Sequence, residues 1–142
     1  MPITPPPPLL RRAVTSAEDY ISKVGNTPLI RLNSISDQIK RKILLKLEYL
    51  NPTGSIKDRA AVYLVQDAIK NKGLKPGGTL VDATAGNTGT SLCAFAKLQN
   101  YKVVLFVPDV LIQDKIDKLK SYGAEIRKVE IDPKDSLHRQ LK

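Results

Sequence analysis

The chain has 142 residues, of which 42% are hydrophobic and 26% are charged, enough apolar material for the core of one domain. Its only cysteine is Cys93 and its only histidine is His138. These counts exclude an internal disulfide framework and a zinc site built from several thiolates or imidazoles. No apolar stretch approaches the roughly 20 residues of a membrane-spanning helix. We therefore expect a soluble, intracellular protein without a metal site.

Basic residues outnumber acidic residues by 23 to 14, which gives a formal net charge of +9. The excess is spread along the chain, only 5% of residues are aromatic, and no zinc-finger, homeodomain or RNP signature is present. These features favour a solvated basic surface that attracts small anionic ligands. We expect small-molecule ligands and no nucleic acid.

Residues 1–23 are predicted to be a disordered or targeting tail. The four prolines at positions 5–8 exclude a helix there. Arg11 and Arg12 precede the first acidic residue, Glu18, and mitochondrial transit peptides are likewise basic and poor in acidic residues. The proline run, however, prevents the amphipathic helix that such a peptide forms. A cytoplasmic location is expected, with a mitochondrial one as the alternative.

From residue 43 onward, segments typical of strands alternate with segments typical of helices. Ser55 can cap the first helix, Asp58 would complete a capping box, and Gly73 and Gly123 are placed to end helices. The predicted strands are 43–47, 79–83, 102–107 and 125–131, with helices at about 55–73, 86–100 and 112–123 and the start of another at Asp132 and Pro133. This alternation predicts an α/β fold, a parallel sheet with helices on both faces and right-handed crossovers.

Two loops would lie at the carboxyl ends of these strands, where open parallel sheets bind ligands. The first reads NPTGSIKDR at 51–59 and places Lys57 in the opening turn of a helix, where the dipole disfavours a cation by roughly 0.3–1 kcal/mol. An amine with a disfavoured charged form suits Schiff-base chemistry with an aldehyde. The alternative is an ordinary surface lysine, but the preceding turn fixes Lys57 at the strand end.

The second loop reads TAGNTG at 84–89 and matches neither a nucleotide P-loop nor a dinucleotide fingerprint. Its small residues, its two threonines and Asn87 end at a helix N-terminus, so backbone N–H and hydroxyl donors could bind a carboxylate. The alternative is an ordinary connection from strand to helix. Two such loops at one edge of a sheet favour a binding site.

Three segments together resemble the cysteine synthase and cystathionine β-synthase family, whose members are pyridoxal-phosphate enzymes with the tryptophan-synthase β fold. The segments are GNTPL at 25–29, NPTGSIKDR at 51–59 and TAGNTG at 84–89, in the order and spacing of the family. The Gly-Asn-Thr-Gly sequence favours the cysteine synthase branch over the dehydratases. The chain is identified as the N-terminal part of a member of this family.

The resemblance implies pyridoxal 5′-phosphate as cofactor and a role for each motif residue. Lys57 would join the cofactor as a Schiff base and later move the α-proton of the substrate, and Asn87 would hydrogen-bond the 3′-oxygen of the cofactor. The residues implied to hold the α-carboxylate of an amino-acid substrate are Thr84, Ala85, Gly86 and Thr88.

The implied reaction is a β-replacement that makes cysteine from an activated serine of the O-acetylserine type. A sulfur nucleophile replaces the β-substituent, with the cofactor as electron sink. Full-length members are commonly homodimers. In the domain plan of the family, residues 24–50 are the N-terminal piece of the large domain with the first strand, and residues 51–142 form the small α/β domain.

Two features depart from the family pattern. Ala85 stands where the family usually has serine, which removes one hydroxyl donor from the carboxylate loop. The phosphate-binding Gly/Thr-rich loop of the family lies further downstream, and none occurs between Leu92 and Lys142. The large domain is therefore expected to be incomplete, and the alternative to an enzyme is an inactive truncated paralogue that acts as a binding or interaction subunit. Cys93 is expected to be buried and His138 exposed.

Overall fold

The structure is a computed structural model that describes residues 14–130. His138 and the helix predicted to begin at Asp132 lie outside these residues. The helices are α1 (Ala17–Lys23), α2 (Asn33–Ile39), α3 (Lys57–Asn71), α4 (Asn87–Leu98) and α5 (Gln113–Ser121), with a 3₁₀ turn at Glu48–Leu50. The strands are β1 (Leu29–Arg31), β2 (Leu44–Lys46), β3 (Thr79–Ala83), β4 (Lys102–Pro108) and β5 (Ala124–Val129).

Strands β3, β4 and β5 form a parallel sheet in that order, with β4 at the centre. Leu80 is opposite Val103, which in turn is opposite Ala124. Helix α4 packs on β4, α5 packs on β5, and α3 packs along α4. The predicted α/β fold with a parallel sheet and flanking helices is confirmed.

The hydrophobic core lies between this sheet and α4. Alternate residues of β4, Val103, Leu105 and Val107, are buried in it, as the two-residue period of a strand requires. Phe95 of α4 is fully buried and its ring centroid lies 5.1 Å from that of Tyr20. Cys93 is buried as predicted, and burial raises the pKa of its thiol to about 11. Within residues 14–130, no helix has the length and apolar character needed to cross a membrane.

The strand predicted at 43–47 is not part of the parallel sheet, and this corrects the predicted count of four parallel strands. It is observed as β2 and pairs antiparallel with β1, a strand that the sequence patterns did not predict, so that Leu45 is opposite Ile30. Leu44 and Leu45 remain 44% and 43% exposed, whereas strands of a parallel sheet are normally covered on both faces. The short ribbon of β1 and β2 therefore forms a separate sheet.

Part of the tail predicted for residues 1–23 is folded in the structure. Residues 1–13 are outside the described part, but Ala17–Lys23 is helix α1. Ser16 caps this helix by accepting a hydrogen bond of 3.1 Å from the Asp19 backbone N–H. Tyr20 then enters the core, so α1 belongs to the folded domain. The Ser-x-x-Asp pattern at 16–19 is the local sequence signal for the beginning of α1.

Candidate functional site

Helices α3 and α4 begin at the same end of the domain. Helix α4 starts immediately after the carboxyl end of β3, and α3 packs along it. Thr53, in the loop before α3, lies 2.9 Å from Ser91 of α4, measured between the hydroxyl oxygens. The structure thus brings together the two loops singled out in the sequence. The second lies at the carboxyl end of β3, where ligands bind in parallel α/β folds, whereas the first follows the separate β1–β2 sheet and not a parallel strand as predicted.

Lys57 is the first residue of α3 and is exposed. Its backbone N–H donates a hydrogen bond of 3.1 Å to Oγ of the buried Ser55, so Ser55 fixes the start of the helix. Among residues 14–130, no side chain forms a hydrogen bond or ion pair with the Lys57 Nζ. The amine is therefore open to a ligand.

The second loop presents backbone N–H groups at the start of α4. Asn87 and Gly86 are exposed, and Gly86 precedes the helix in an extended conformation without a capping side chain. Thr84, Ala85 and Thr88 are half-buried, and Ala85 packs against the core. The first turn of a helix has unpaired N–H donors and the positive end of the helix dipole. This loop could bind an anionic group.

Gly89 allows α4 to approach the sheet closely. A Cβ atom at this position would lie 2.9 Å from Leu105 Cδ1 and 3.0 Å from Thr84 Cγ2. Both distances are shorter than ordinary carbon contacts, so a larger residue would push α4 away from β4. The glycine in the second loop is thus needed for packing, and it sets the depth at which the start of α4 lies.

A buried carboxylate adjoins Lys57. Asp58 is fully buried and accepts hydrogen bonds from the Tyr20 hydroxyl (2.6 Å), the Thr53 hydroxyl (2.6 Å) and the Thr53 backbone N–H (2.8 Å). The predicted capping box is therefore wrong, because the side chain of Asp58 is bonded to Thr53 and Tyr20 and not to the Ser55 backbone. Burial, together with the hydrogen bond to Asp58, raises the pKa of Tyr20 well above its usual range.

A second network connects the first two motifs. Arg59 donates two hydrogen bonds of 2.9 Å to the two carboxylate oxygens of Glu48. Thr27 donates to Glu48 Oε1 at 2.7 Å, and the Asn51 side-chain amide donates to Glu48 Oε2 at 2.8 Å. Asn51 in turn accepts a hydrogen bond of 2.8 Å from the Gly25 N–H. This network holds the loop before α3 against the segment at 25–29.

The sequence patterns singled out Lys57 and the loop at 84–89 as candidate site residues, but did not predict the hydrogen bonds around them. Tyr20, Thr53 and Ser91 contact Asp58 or one another across the fold, and Tyr20 and Asp58 are 38 positions apart. The sequence patterns predicted Asp58 only as part of the capping box at the start of a helix. Its place within a motif, beside Lys57, was the one available signal of a further role.

These features define an α/β protein with two neighbouring helix N-termini, one with an open lysine amine and one, at the carboxyl end of a parallel strand, with open N–H donors. A family model described as pyridoxal-phosphate dependent enzyme matches residues 21–142, and the chain belongs to this family. Enzymes of this family use pyridoxal 5′-phosphate, as the sequence motifs predicted.

Individual relatives agree with this assignment. The chain is 48% identical over 110 residues to cysteine synthase 1 of Neurospora crassa, covering 78% of this chain and 29% of the relative. It is 39% identical over 110 residues to cystathionine beta-synthase of Mus musculus, covering 76% of this chain and 20% of the relative. The chain therefore spans less than a third of the length of either protein.

A solved structure shows the same fold. A hydrogen sulfide-producing enzyme of Fusobacterium nucleatum superposes with a TM-score of 0.74 and is 33% identical. The match covers 86% of this chain and 40% of that enzyme.

Proposed function

We propose that this chain supplies the lysine-bearing part of a cysteine-synthase-like enzyme that replaces the β-substituent of an activated serine with a sulfur nucleophile. The observation that carries the proposal is the open amine of Lys57 at the start of α3, beside the exposed start of α4. The higher identity to a cysteine synthase, 48% against 39% for a cystathionine beta-synthase, supports this choice of reaction.

The residues present fit the aldehyde and the ring of pyridoxal phosphate at this site. The cofactor needs an amine for its aldehyde, which Lys57 offers without a competing partner among residues 14–130. It also needs a polar group beside its ring, which the exposed Asn87 side chain offers. When bound, the cofactor supplies an electron sink for charge that develops on the α-carbon of an amino acid.

In this proposal, the protein itself binds, orients and moves a proton. Lys57 anchors the cofactor and its Nζ moves the proton of the substrate α-carbon, while Asn87 orients the cofactor ring. The α-carboxylate is held by backbone N–H groups at the start of α4 and by threonine hydroxyls. The proposed carboxylate-binding residues are Thr84, Ala85, Gly86 and Thr88. Ala85 contacts the core with its methyl group, so only its backbone can take part.

The test is a titration of the full chain with pyridoxal phosphate, followed by borohydride reduction and peptide mapping. We expect a saturable visible absorbance band and a single labelled residue, Lys57, with both lost in Lys57→Ala. Lys70→Ala is the matched control, because Lys70 is an exposed lysine of the same helix at its far end. Labelling spread over many lysines, or a band that survives in Lys57→Ala, would contradict the proposed site.

A second candidate function is a binding subunit that associates with a longer chain of the same family. One observation favours it, a group of exposed aliphatic side chains on β1, β2 and α2. These side chains are 41–58% exposed and comprise Leu29, Ile30, Ile35, Ile39, Leu44 and Leu45. Ile30 and Leu45 are opposite each other in the ribbon and share one exposed face, and exposed apolar areas of this kind are candidate interaction sites.

Co-expression with a full-length relative tests this second function. Stable co-purification, lost in Leu45→Lys but kept in Leu64→Lys, would support it. Leu64 is a comparably exposed leucine on α3, away from the β1–β2 ribbon. Equal loss of association in both variants would argue against a role of the ribbon.

A further inference from the structure

A hydroxyl chain, formed by the side chains of Ser91 and Thr53, connects α4 to the Asp58 carboxylate of α3. The donor and the acceptor of each of its hydrogen bonds follow from the protons available. Thr53 has one hydroxyl proton, and it donates this proton to Asp58 Oδ1 at 2.6 Å. In its contact of 2.9 Å with Ser91, the Thr53 oxygen must therefore accept, and Ser91 must donate. The order of donation is Ser91 to Thr53 to Asp58.

Asp58 also receives a hydrogen bond from Tyr20 of helix α1. The Tyr20 hydroxyl donates to the same Asp58 oxygen at 2.6 Å, while its ring packs 5.1 Å from that of Phe95. Because burial raises the pKa of Tyr20 far above neutrality, the phenol remains a donor at every physiological pH. The hydroxyls of Thr53 and Tyr20 both donate to Asp58, which no arginine or lysine of residues 14–130 contacts in an ion pair.

The two ends of the hydroxyl chain adjoin the two proposed cofactor residues. Asp58 directly follows Lys57, and Ser91 lies one helical turn after Asn87. Thr53 also uses its backbone N–H, at 2.8 Å, on the second oxygen of Asp58, so it is held at two points. Apolar residues of the same size would fill this space, but they would impose no preferred direction or spacing.

We infer that Tyr20, Thr53, Asp58 and Ser91 are positioning residues that set the placement of Lys57 relative to Asn87. This inference rests on the cofactor role proposed above for those two residues. The four residues do not touch the ligand in this assignment. They act by connecting the start of α3, the start of α4 and helix α1 through directional bonds.

A matched pair of substitutions at Thr53 tests the inference. Thr53→Val keeps the shape but removes the hydroxyl, whereas Thr53→Ser keeps the hydroxyl and removes a methyl group. The first readout needs no cofactor and is the hydrogen exchange of the Thr90 amide, which donates to the Gly86 carbonyl at 3.2 Å in the first turn of α4. The second readout is the affinity for pyridoxal phosphate and the visible circular dichroism of the cofactor trapped on Lys57.

We expect exchange at Thr90 to be several-fold faster in Thr53→Val, with a several-fold loss of cofactor affinity and a weaker dichroism band. In Thr53→Ser, we expect an exchange rate, a cofactor affinity and a dichroism band close to those of the wild type. Equal behaviour of the two variants in exchange and in dichroism would overturn the inference, since a hydroxyl-independent effect is only a packing effect.

Tyr20→Phe gives an independent comparison if Thr53→Val fails to fold. It removes one donor to Asp58 and keeps the ring, and Tyr63→Phe removes the hydroxyl of an exposed tyrosine of α3 as control. Faster exchange at Thr90 in Tyr20→Phe alone supports the inference, and equal rates in both variants overturn it.

The outcomes also separate this inference from the proposed function. If wild-type Lys57 is not labelled but Thr53→Val still speeds exchange at Thr90, the proposed function fails and the coupling of the helices stands. If Lys57 is labelled equally well in Thr53→Val and Thr53→Ser, with equal dichroism, the positioning role fails and the proposed function stands.

Discussion

Glu48 joins two of the motif segments near the candidate site. Its carboxylate accepts hydrogen bonds from Thr27 of the segment at 25–29 and from Asn51 and Arg59 of the segment at 51–59. The Arg59 guanidinium, followed by the Thr27 hydroxyl, lowers the pKa of Glu48 from 4.5 to about 2. Charge-assisted bonds with two parallel N–H···O contacts are among the stronger polar contacts in proteins.

This lowered pKa predicts acid sensitivity. A carboxyl whose pKa is lower in the folded state stabilises the protein at pH values above 4.5, the pKa of the group in the unfolded chain. This stabilisation is lost as the pH falls from 4.5 towards 2. We expect Glu48→Gln to be less stable than the wild type at neutral pH, with the difference shrinking between pH 4.5 and pH 2. Urea unfolding at a series of pH values measures this.

The control for Glu48 is Asp37→Asn. Asp37 pairs with Arg31 at 2.6 Å, but both side chains are exposed, and exposed pairs contribute little. This variant should follow the pH dependence of the wild type. A pH profile of Glu48→Gln that is parallel to that of the wild type would contradict the prediction.

Helix α4 is the element on which the candidate site depends most. It buries Phe95 and Cys93 against the sheet, exposes its first residue Asn87, and is tied to the loop before α3 through Ser91. Its close approach to β4 requires a glycine at position 89. The same helix therefore contributes both to the core and to the proposed binding edge.

We predict that Gly89→Ala destabilises the domain by about 1–3 kcal/mol, because the added methyl group overpacks the contact with Leu105 and Thr84. Gly86→Ala is the matched control, since a Cβ there has no atom within 4 Å among residues 14–130. Thermal or urea unfolding of both variants measures the difference. Similar losses in the two variants would show that the close approach of α4 is not the cause.

At the scale of the whole molecule, the single cysteine reports on unfolding. Cys93 is buried between α4 and the sheet, and burial raises the pKa of its thiol to about 11. Thiolate formation and reagent access are both suppressed in the folded state. Helix α4 must separate from the sheet before a thiol reagent can reach this side chain.

We therefore expect Cys93 to react with a thiol reagent slowly in the native protein and rapidly in urea. Under native conditions the reaction should become slower still when pyridoxal phosphate is added, because a ligand that binds only the folded state stabilises it. Mass spectrometry of time points measures the rate, and the cofactor effect should vanish in Lys57→Ala. Rapid stoichiometric labelling of native protein would contradict the buried position.

Much of the α/β core could be predicted because its signals are local. The continuous apolar run at 103–107 is typical of a parallel strand covered on both faces, and it is observed as β4. Gly73 and Gly123 were placed to end helices, and both have positive φ angles, of 70° and 94°, which a glycine adopts readily. Each of these features depends on residues that are neighbours in the sequence.

The motifs at 25–29, 51–59 and 84–89 indicated the family by resemblance and singled out the two loops that lead into the starts of α3 and α4. They could do so because the order of small, polar and basic residues in such loops is a local feature of the sequence. Only the tertiary structure decided that β2 pairs with β1, that α1 packs into the core, and that Asp58 is bonded to Tyr20 and Thr53. These features are contacts between segments distant in sequence, and no local pattern specifies which of several possible donors a buried carboxylate meets.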